Sequence, residues 1–241
     1  MKSDNDISLM RQRKVEDLKE PLKSLVESIQ WYGQSSVRIP FGDKFIYIDP
    51  FKITDTEMAD LILITHPHFD HFSIDEINKI ATPDTSIYAP EECCEKLRSH
   101  GFKKCTVVFP GQSFTFKGFS IYTVPAYNTV KYNHPKEMEW VGYVINLGGV
   151  KIYHSGDTNR IPEMKSISCD IAFIPLGQTY TMQNVKEAAD AVVDVKAKVA
   201  IPIHFGIYEG TENDAVIFRE LLNDKVITVI KESKNKLHPM L

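Results

Sequence analysis

Residues 61–72 read LILITHPHFDHF, and this stretch decides the fold. It opens on a short apolar run that ends at Thr65, and a run of that length reads as a buried strand. His66, His68, Asp70 and His71 come directly after it. Four metal-capable side chains therefore sit where a strand stops and the chain turns over the edge of a sheet. Imidazole and carboxylate are ligands for zinc and similar divalent ions, at about 2.0–2.2 Å. Four such groups in a single turn do not converge easily on one tetrahedral ion. The pattern favours two adjacent metals, or one metal with ligands to spare.

Working outward, the chain reads as strands first and then as strands alternating with helices. Residues 36–39 and 44–48 form a hairpin pair around Pro40-Phe41-Gly42-Asp43. Ser73, with Glu76 three residues on, marks a helix start with a capping box. Residues 86–88 read as a strand and residues 91–100 as a helix stopped by Gly101. Residues 107–109, 113–116 and 120–124 alternate around Gly111 and Gly118 as strands of a meander do. Residues 141–147 and 150–154 make the clearest hairpin, turning at Gly148-Gly149. A buried strand at 170–174, an Ala/Val-rich helix at 184–195 and a strand at 198–203 complete the pattern.

The 241 residues are 43% hydrophobic, which suits one large domain. Residues 1–28 differ from the rest. They are rich in charge, and Leu18, Leu22, Leu25, Val26 and Ile29 fall at helical spacing. We read residues 1–28 as an N-terminal helical extension and 29–241 as the main domain. The extension would pack its stripe on that domain or on a second copy of the chain, as a homo-oligomer. With a net charge of −4, the chain has no global electrostatic reason to bind nucleic acid. No apolar stretch is long enough to span a bilayer, and the first residues lack the apolar centre of a secretory signal, so a cytoplasmic protein is expected. Cys93, Cys94, Cys105 and Cys169 form no CxxC pair and are expected to be reduced, mostly buried thiols.

Two further segments end strands on ligand-type residues: His154-Ser155-Gly156-Asp157-Thr158, and His204 after residues 199–203. Strand ends on one side of a sheet bring distant residues into one cleft. The candidate metal ligands are thus His66, His68, Asp70, His71, Asp157 and His204. Gly156 lets the backbone turn tightly enough for the Asp157 carboxylate to point back over the sheet. His154 is expected to be buried in a supporting role.

HPHFDH, SGDT at 155–158 and IPIHFG at 201–206 resemble the ligand motifs of the metallo-β-lactamase superfamily, and IYIDP at 46–50 matches its first motif. WYGQSSVRI at 31–39 and PLGQTYTM at 175–182 are similar to the branch of metal-dependent hydrolases related to L-ascorbate-6-phosphate lactonase and N-acyl-phosphatidylethanolamine phospholipase D. The resemblance implies an α/β fold, a four-layer αββα sandwich with the site at one edge of its two sheets. It implies that His66 and His68 bind a first metal, that Asp70, His71 and His204 bind a second, and that Asp157 bridges them. Asp49 would orient a ligand histidine by accepting its free ring N–H.

The chain departs from that family at two places. A third histidine for the first metal is expected in a segment like PAxH, but here the segment is Pro125-Ala126-Tyr127-Asn128. An amide oxygen is a weaker ligand for zinc than imidazole. His134, six residues on, is expected at the surface or facing substrate, with a fold-back onto the first metal as the alternative. The first site is then expected to be weak or empty. Gln34 stands where relatives often carry a histidine.

A divalent ion lowers the pKa of bound water from about 15.7 towards about 7, and the hydroxide attacks an electrophilic carbonyl or phosphorus. Asp70, between ligands, is the candidate catalytic residue that orients the hydroxide or shuttles its proton. The expected activity is metal-dependent hydrolysis of a small-molecule ester, lactone or phosphodiester. A nuclease and a metal-binding regulatory protein are the alternatives. Redox diiron chemistry would call for a carboxylate where His68 stands. An all-His/Asp shell suits Zn2+, Mn2+, Fe2+ or Ni2+, as one or two ions.

Overall fold

The computed structural model describes residues 14–55, 57–223 and 225–234. The first thirteen residues of the extension read from the sequence lie outside the described residues. The remainder of the extension holds a short 3-10 turn at Val15–Asp17 and helix α1, Leu22–Ser28. Val26 and Ile29 are buried in the main core, and Leu18, Leu22 and Leu25 pack against it.

Two sheets carry the fold. The first holds β1 (Gln30–Gly33), β2 (Ser36–Phe41), β3 (Lys44–Ile48), β4 (Leu61–Leu63), β5 (Ser86–Ala89) and β6 (Cys105–Val107), in that spatial order. Strands β1 to β3 pair antiparallel and β3 to β6 parallel. The second holds β7 (Ser113–Phe116), β8 (Phe119–Pro125), β9 (Val141–Leu147), β10 (Val150–His154), β11 (Ile171–Pro175), β12 (Val199–Ile203) and β13 (Ile227–Thr228). Its order is β13-β12-β11-β10-β9-β8-β7, antiparallel from β7 to β10 and parallel from β10 to β13.

The LILI run explains the layering. Side chains alternate across a strand, so a strand covered on both faces is apolar throughout. Leu61 and Leu63 join the core between the sheets, with Ile46 and Ile48 beside them. Ile62 and Ile64 join a second cluster on the outer face, with Ile77, Ile80 and Leu97. Those three come from α2 (Ile74–Ile80) and α3 (Glu91–Ser99), which form the outer layer on this side. On the other side α4 (Val185–Asp194) and α5 (Glu212–Leu222) cover the second sheet through Ala188, Val192, Ala215 and Phe218. The result is the four-layer αββα sandwich.

Three local expectations need correction. The strand read at 107–109 lies at Cys105–Val107 and pairs parallel with β5 in the first sheet. The meander is therefore β7-β8-β9 alone. The pattern misleads here because two short strands of different sheets meet around the same turn residues. Ser73 caps α2 by accepting Glu76 N–H, but the Glu76 carboxylate turns away to accept Ile53 N–H at 2.7 Å. There is no reciprocal box. Finally, Cys94 and Cys105 form a disulfide, while Cys93 and Cys169 are free and buried. Helix α3 folds back along β6, which brings the two Cα atoms to 5.5 Å across eleven residues of sequence. Among the described residues, no helix is long and apolar enough to cross a membrane.

Candidate metal centre

The parallel strands of both sheets deliver their C-terminal ends to one edge. Asp49 follows β3, His66 to His71 follow β4, Asp157 follows β10 and His204 follows β12. Gly156, at φ +63°, makes the turn that returns Asp157 over the sheet, and a Cβ there would press on Thr65 and Val141. Asp49, Gln34 and His204 also hold positive φ, at +47°, +46° and +56°. Non-glycine residues in that region store backbone strain, and here all three border the same cluster.

Besides a trio of Asp49, His66 and His71, the potential ligand atoms meet in two groups. His66, His68, His134 and Asp157 form one, and Asp70, His71 and His204 form the other, each with its ligand atoms within 4.8 Å of one another. Asp157 ties the two together: its Oδ1 lies 3.3 Å from His71 Nε2, and its Oδ2 lies 3.2 Å from His204 Nε2 and 3.6 Å from His134 Nε2. His66 Nε2 lies 3.0 Å from His68 Nδ1 and 3.2 Å from His134 Nε2. His134 is thus neither at the surface nor apart from the site. It is 1% exposed and joins His66, His68 and Asp157. A tie from Asn128 N–H to His134 C=O, at 2.7 Å, closes residues 128–134 into a loop that carries His134 back.

Hydrogen bonds set which ring nitrogens face inward. Thr65 donates its N–H and its Oγ1–H to the two oxygens of Asp49, at 2.8 and 2.6 Å. Its Oγ1 is then left to accept from His66 Nδ1 at 2.9 Å, which turns His66 Nε2 to the cluster. His71 Nδ1 donates to Asp49 Oδ2 at 2.6 Å, in the role expected of Asp49. His204 Nδ1 lies 2.9 Å from Glu209 Oε1. Sequence reasoning misses Glu209, which is one acid among many in a loop. Its other oxygen accepts the N–H groups of Thr179 and Tyr180, at 2.7 and 2.9 Å. Gly177 makes room for it, since a Cβ there would overlap the Glu209 carboxylate.

Burial and charge divide the cluster. Burial lowers His66 and His68, with the positive His71 adding to it. Burial likewise brings His134 down to about 4. For His71 burial acts downward too, but Asp157, Asp49 and Asp70 outweigh it and hold the ring up to about 10. His204 is raised in the same way, against its burial, chiefly by Asp157. Burial pushes Asp157 and Asp70 up, but the neighbouring His71 and His204 hold both carboxylates low. His71 Nε2 and Asp157 Oδ1 are buried and face each other without a well-directed hydrogen bond. Buried polar atoms so placed are expected where an ion belongs, so the residues fit a divalent metal.

Gln34 lies inside the site. Its Nε2 donates to Asp70 Oδ2 at 3.0 Å and is 3.3 Å from His204 Nε2, and its carbonyl accepts His204 N–H. His154 plays the supporting part expected: Nε2 meets Ser35 C=O at 2.8 Å, and Nδ1 accepts Gly156 N–H. Trp140 walls the His66 group, with its ring 5.2 Å from both His66 and His68. Lys131 is tied to main-chain carbonyls. Its ammonium donates to the carbonyls of Gln178, Thr181 and Met182, at 2.8, 2.6 and 2.8 Å, and Asn128 Nδ2 donates to Tyr180 C=O at 2.7 Å. Together they lock the His134 loop to residues 178–182. Over the ligands opens a cavity of about 430 Å³, lined by His68, Phe69, Asp70, Asn133, Asp157, Tyr180, His204 and Tyr208.

A two-sheet sandwich that gathers histidines and aspartates from its strand ends at one edge is the architecture of the metallo-β-lactamase superfamily. Residues 28–204 match the β-lactamase superfamily domain. The chain is 32% identical to a metal-dependent hydrolase of Lysinibacillus sphaericus, over 84% of this chain and 96% of that one. It is also 32% identical to one from Thermoplasma acidophilum, over 80% and 89%. The chain belongs to the family those two carry in their names, the UPF0173 metal-dependent hydrolases, within the β-lactamase superfamily. A Parabacteroides distasonis protein described as a metal-dependent hydrolase superposes with a TM-score of 0.75 at 32% identity, over 85% of this chain and 92% of the other. Igni18, a metallo hydrolase of Ignicoccus hospitalis, shares the fold with a TM-score of 0.69 at 20% identity, over 85% and 94%.

Proposed function

We propose that His66, His68, His134 and Asp157 would hold one divalent ion, that Asp70, His71, His204 and Asp157 would hold a second, and that the protein so loaded is a hydrolase of a small ester, lactone or phosphodiester. The observation that carries this reading is the convergence of both ligand groups on Asp157 at the floor of one open cavity. When bound, the ions polarise the scissile group and lower the pKa of water towards about 7. The chain's own residues do the rest. Asp70 reaches the cavity with Oδ2 held by Gln34, where it can take a proton from the attacking water and pass it to the leaving oxygen. Asp49 keeps His71 in the tautomer that presents Nε2, and the Glu209 carboxylate, 2.9 Å from His204 Nδ1, favours the same orientation of His204 by its charge. Zn2+, Mn2+, Fe2+ and Ni2+ all suit the donor set.

The test is metal content by mass spectrometry, followed by turnover of a panel of esters, lactones and phosphodiesters after each metal is added back. Two ions per chain with metal-dependent turnover is the expected result. Full occupancy with no turnover of any member would favour the metal-binding reading. A nuclease is the weaker alternative, because no Lys or Arg is among the cavity-lining residues to meet a phosphate backbone.

A further inference from the structure

Phe69 stands between the candidate ligands His68 and Asp70, yet it is 65% exposed. Tyr208 and Tyr180, which share the cavity with it, are 50% and 43% exposed. Exposed rings grouped at the mouth of a metal cluster mark a binding surface better than isolated surface aromatics do. They are also held in place. Phe69 and Tyr208 meet edge to face at 5.4 Å, and Phe51 backs both at 6.3 Å. A ring platform fixed beforehand loses little side-chain entropy when it is covered.

The charge pattern narrows the occupant. Beyond the candidate ligands His68, Asp70, Asp157 and His204, the lining offers three aromatic rings and the Asn133 amide, with no Lys or Arg. Lys131, on the neighbouring loop, has its ammonium engaged by three carbonyls. Lys52 lies over the Phe51 and Tyr208 rings, 5.3 and 5.9 Å from their centres. Away from the candidate ligands, no Lys or Arg lines the cavity to pair with an anionic group at the far end of a substrate.

We propose that the cavity takes an uncharged ester or lactone whose acyl side carries a planar apolar arm, seated on Phe69 and Tyr208. This rests on the hydrolase reading above and narrows its substrate class. Water adds across the acyl C–O bond: its oxygen joins the acyl carbon, that C–O bond breaks, and the proton reaches the leaving oxygen by way of Asp70. The products are a carboxylic acid and an alcohol, or one hydroxy acid from a lactone.

The experiment keeps the leaving group constant and varies the arm. Trifluoroethyl esters of acetic acid, of phenylacetic acid and of succinic acid (as the monoester, with a charged arm) are compared on metal-loaded protein by acid release. The expected kcat/KM for the phenylacetyl ester exceeds both others by about tenfold, the scale of apolar pocket discrimination. In Phe69→Ala and Tyr208→Ala, with metal content unchanged, that ratio should fall towards one. Hydrolysis without preference, preference for the succinyl ester, or an unchanged ratio in both variants would overturn this proposal and leave the hydrolase reading standing. Absence of turnover across all three esters, together with activity on a phosphodiester, would overturn it as well. Absence of turnover on every substrate at full metal occupancy would remove the hydrolase reading and this proposal together.

Discussion

In the Asp70 half of the cluster, His71 backs onto Asp49 at 2.6 Å and His204 backs onto Glu209 at 2.9 Å. In the other half His66 backs onto the Thr65 hydroxyl at 2.9 Å, and His134 Nδ1 faces the Asn128 amide at 3.2 Å. The first pair of imidazoles leans on carboxylates and is raised, against its burial, above the ordinary histidine value, chiefly by Asp157. The second leans on neutral groups and is held neutral. A carboxylate behind a histidine makes it a more basic ligand and fixes its orientation. On the proposed reading the two halves share Asp157 and are expected to differ in affinity, with the Asp70 half the tighter. On the same reading, loop closure brings His134 in for the missing histidine, without altering the strands.

Asp157→Ala should break both halves at once. Hydrolysis is expected to fall to background, and bound metal to drop from two ions towards none. Two retained ions with measurable turnover would show that the halves do not share this carboxylate. Glu209→Gln separates them. It should weaken the Asp70 half by about 10–100-fold in a chelator competition and leave the other half intact. Gly177→Ala should reproduce that loss, because the added Cβ overlaps the Glu209 carboxylate and pushes it from His204. An alanine variant with normal affinity at both ions would mean that Glu209 does not support His204.

Lys131→Met addresses the other half. The three carbonyl contacts of Lys131 hold residues 178–182 against the loop that carries His134. Their loss should weaken the ion held by His66, His68 and His134 by roughly tenfold, within the range for supporting contacts, without touching the Asp70 half. Metal titration of the variant should show one tight and one weakened event. Weakening of both events together would mean that the loop supports the whole edge.

These supports also mark where the sequence stops being legible. The LILI run and the hairpins at 36–48 and 141–154 could be read because each strand's burial is written in its own residues. His66, His68, Asp70 and His71 could be read because they are adjacent and follow a strand. Asp157 and His204 could be read because each ends a strand at a recognisable turn. His134 could be read only as an alternative, since its place depends on a backbone contact between Asn128 and His134 that any residue pair could make. Glu209 could not, since its partner His204 reaches it only after a left-handed turn at φ +56°. The Cys94–Cys105 disulfide was hidden for a similar reason. It depends on how α3 returns along β6, and the spacing of eleven carries no motif.

The charge difference between the halves has a consequence for stability in the metal-free protein. His71 is raised to about 10 against an ordinary value near 6.5. A raised histidine adds stability that is complete below about 6.5 and is lost as pH climbs through the folded value. His204, raised likewise, acts in the same direction. His134 is lowered to about 4, so the unfolded chain takes up a proton that the folded site refuses, and stability is lost as pH falls from about 6.5 towards 4. The metal-free chain should therefore be most stable near pH 6–7, with the Asp70 half setting the alkaline slope and the His134 half the acid one. A bound ion takes the place of the proton on His71 and should flatten the alkaline slope. Urea midpoints of chelated protein from pH 5 to 10, repeated with zinc, measure both slopes. A chelated protein that gains stability between pH 7 and 10 would show that the Asp70 half does not hold its proton, and the distinction between the halves would go with it.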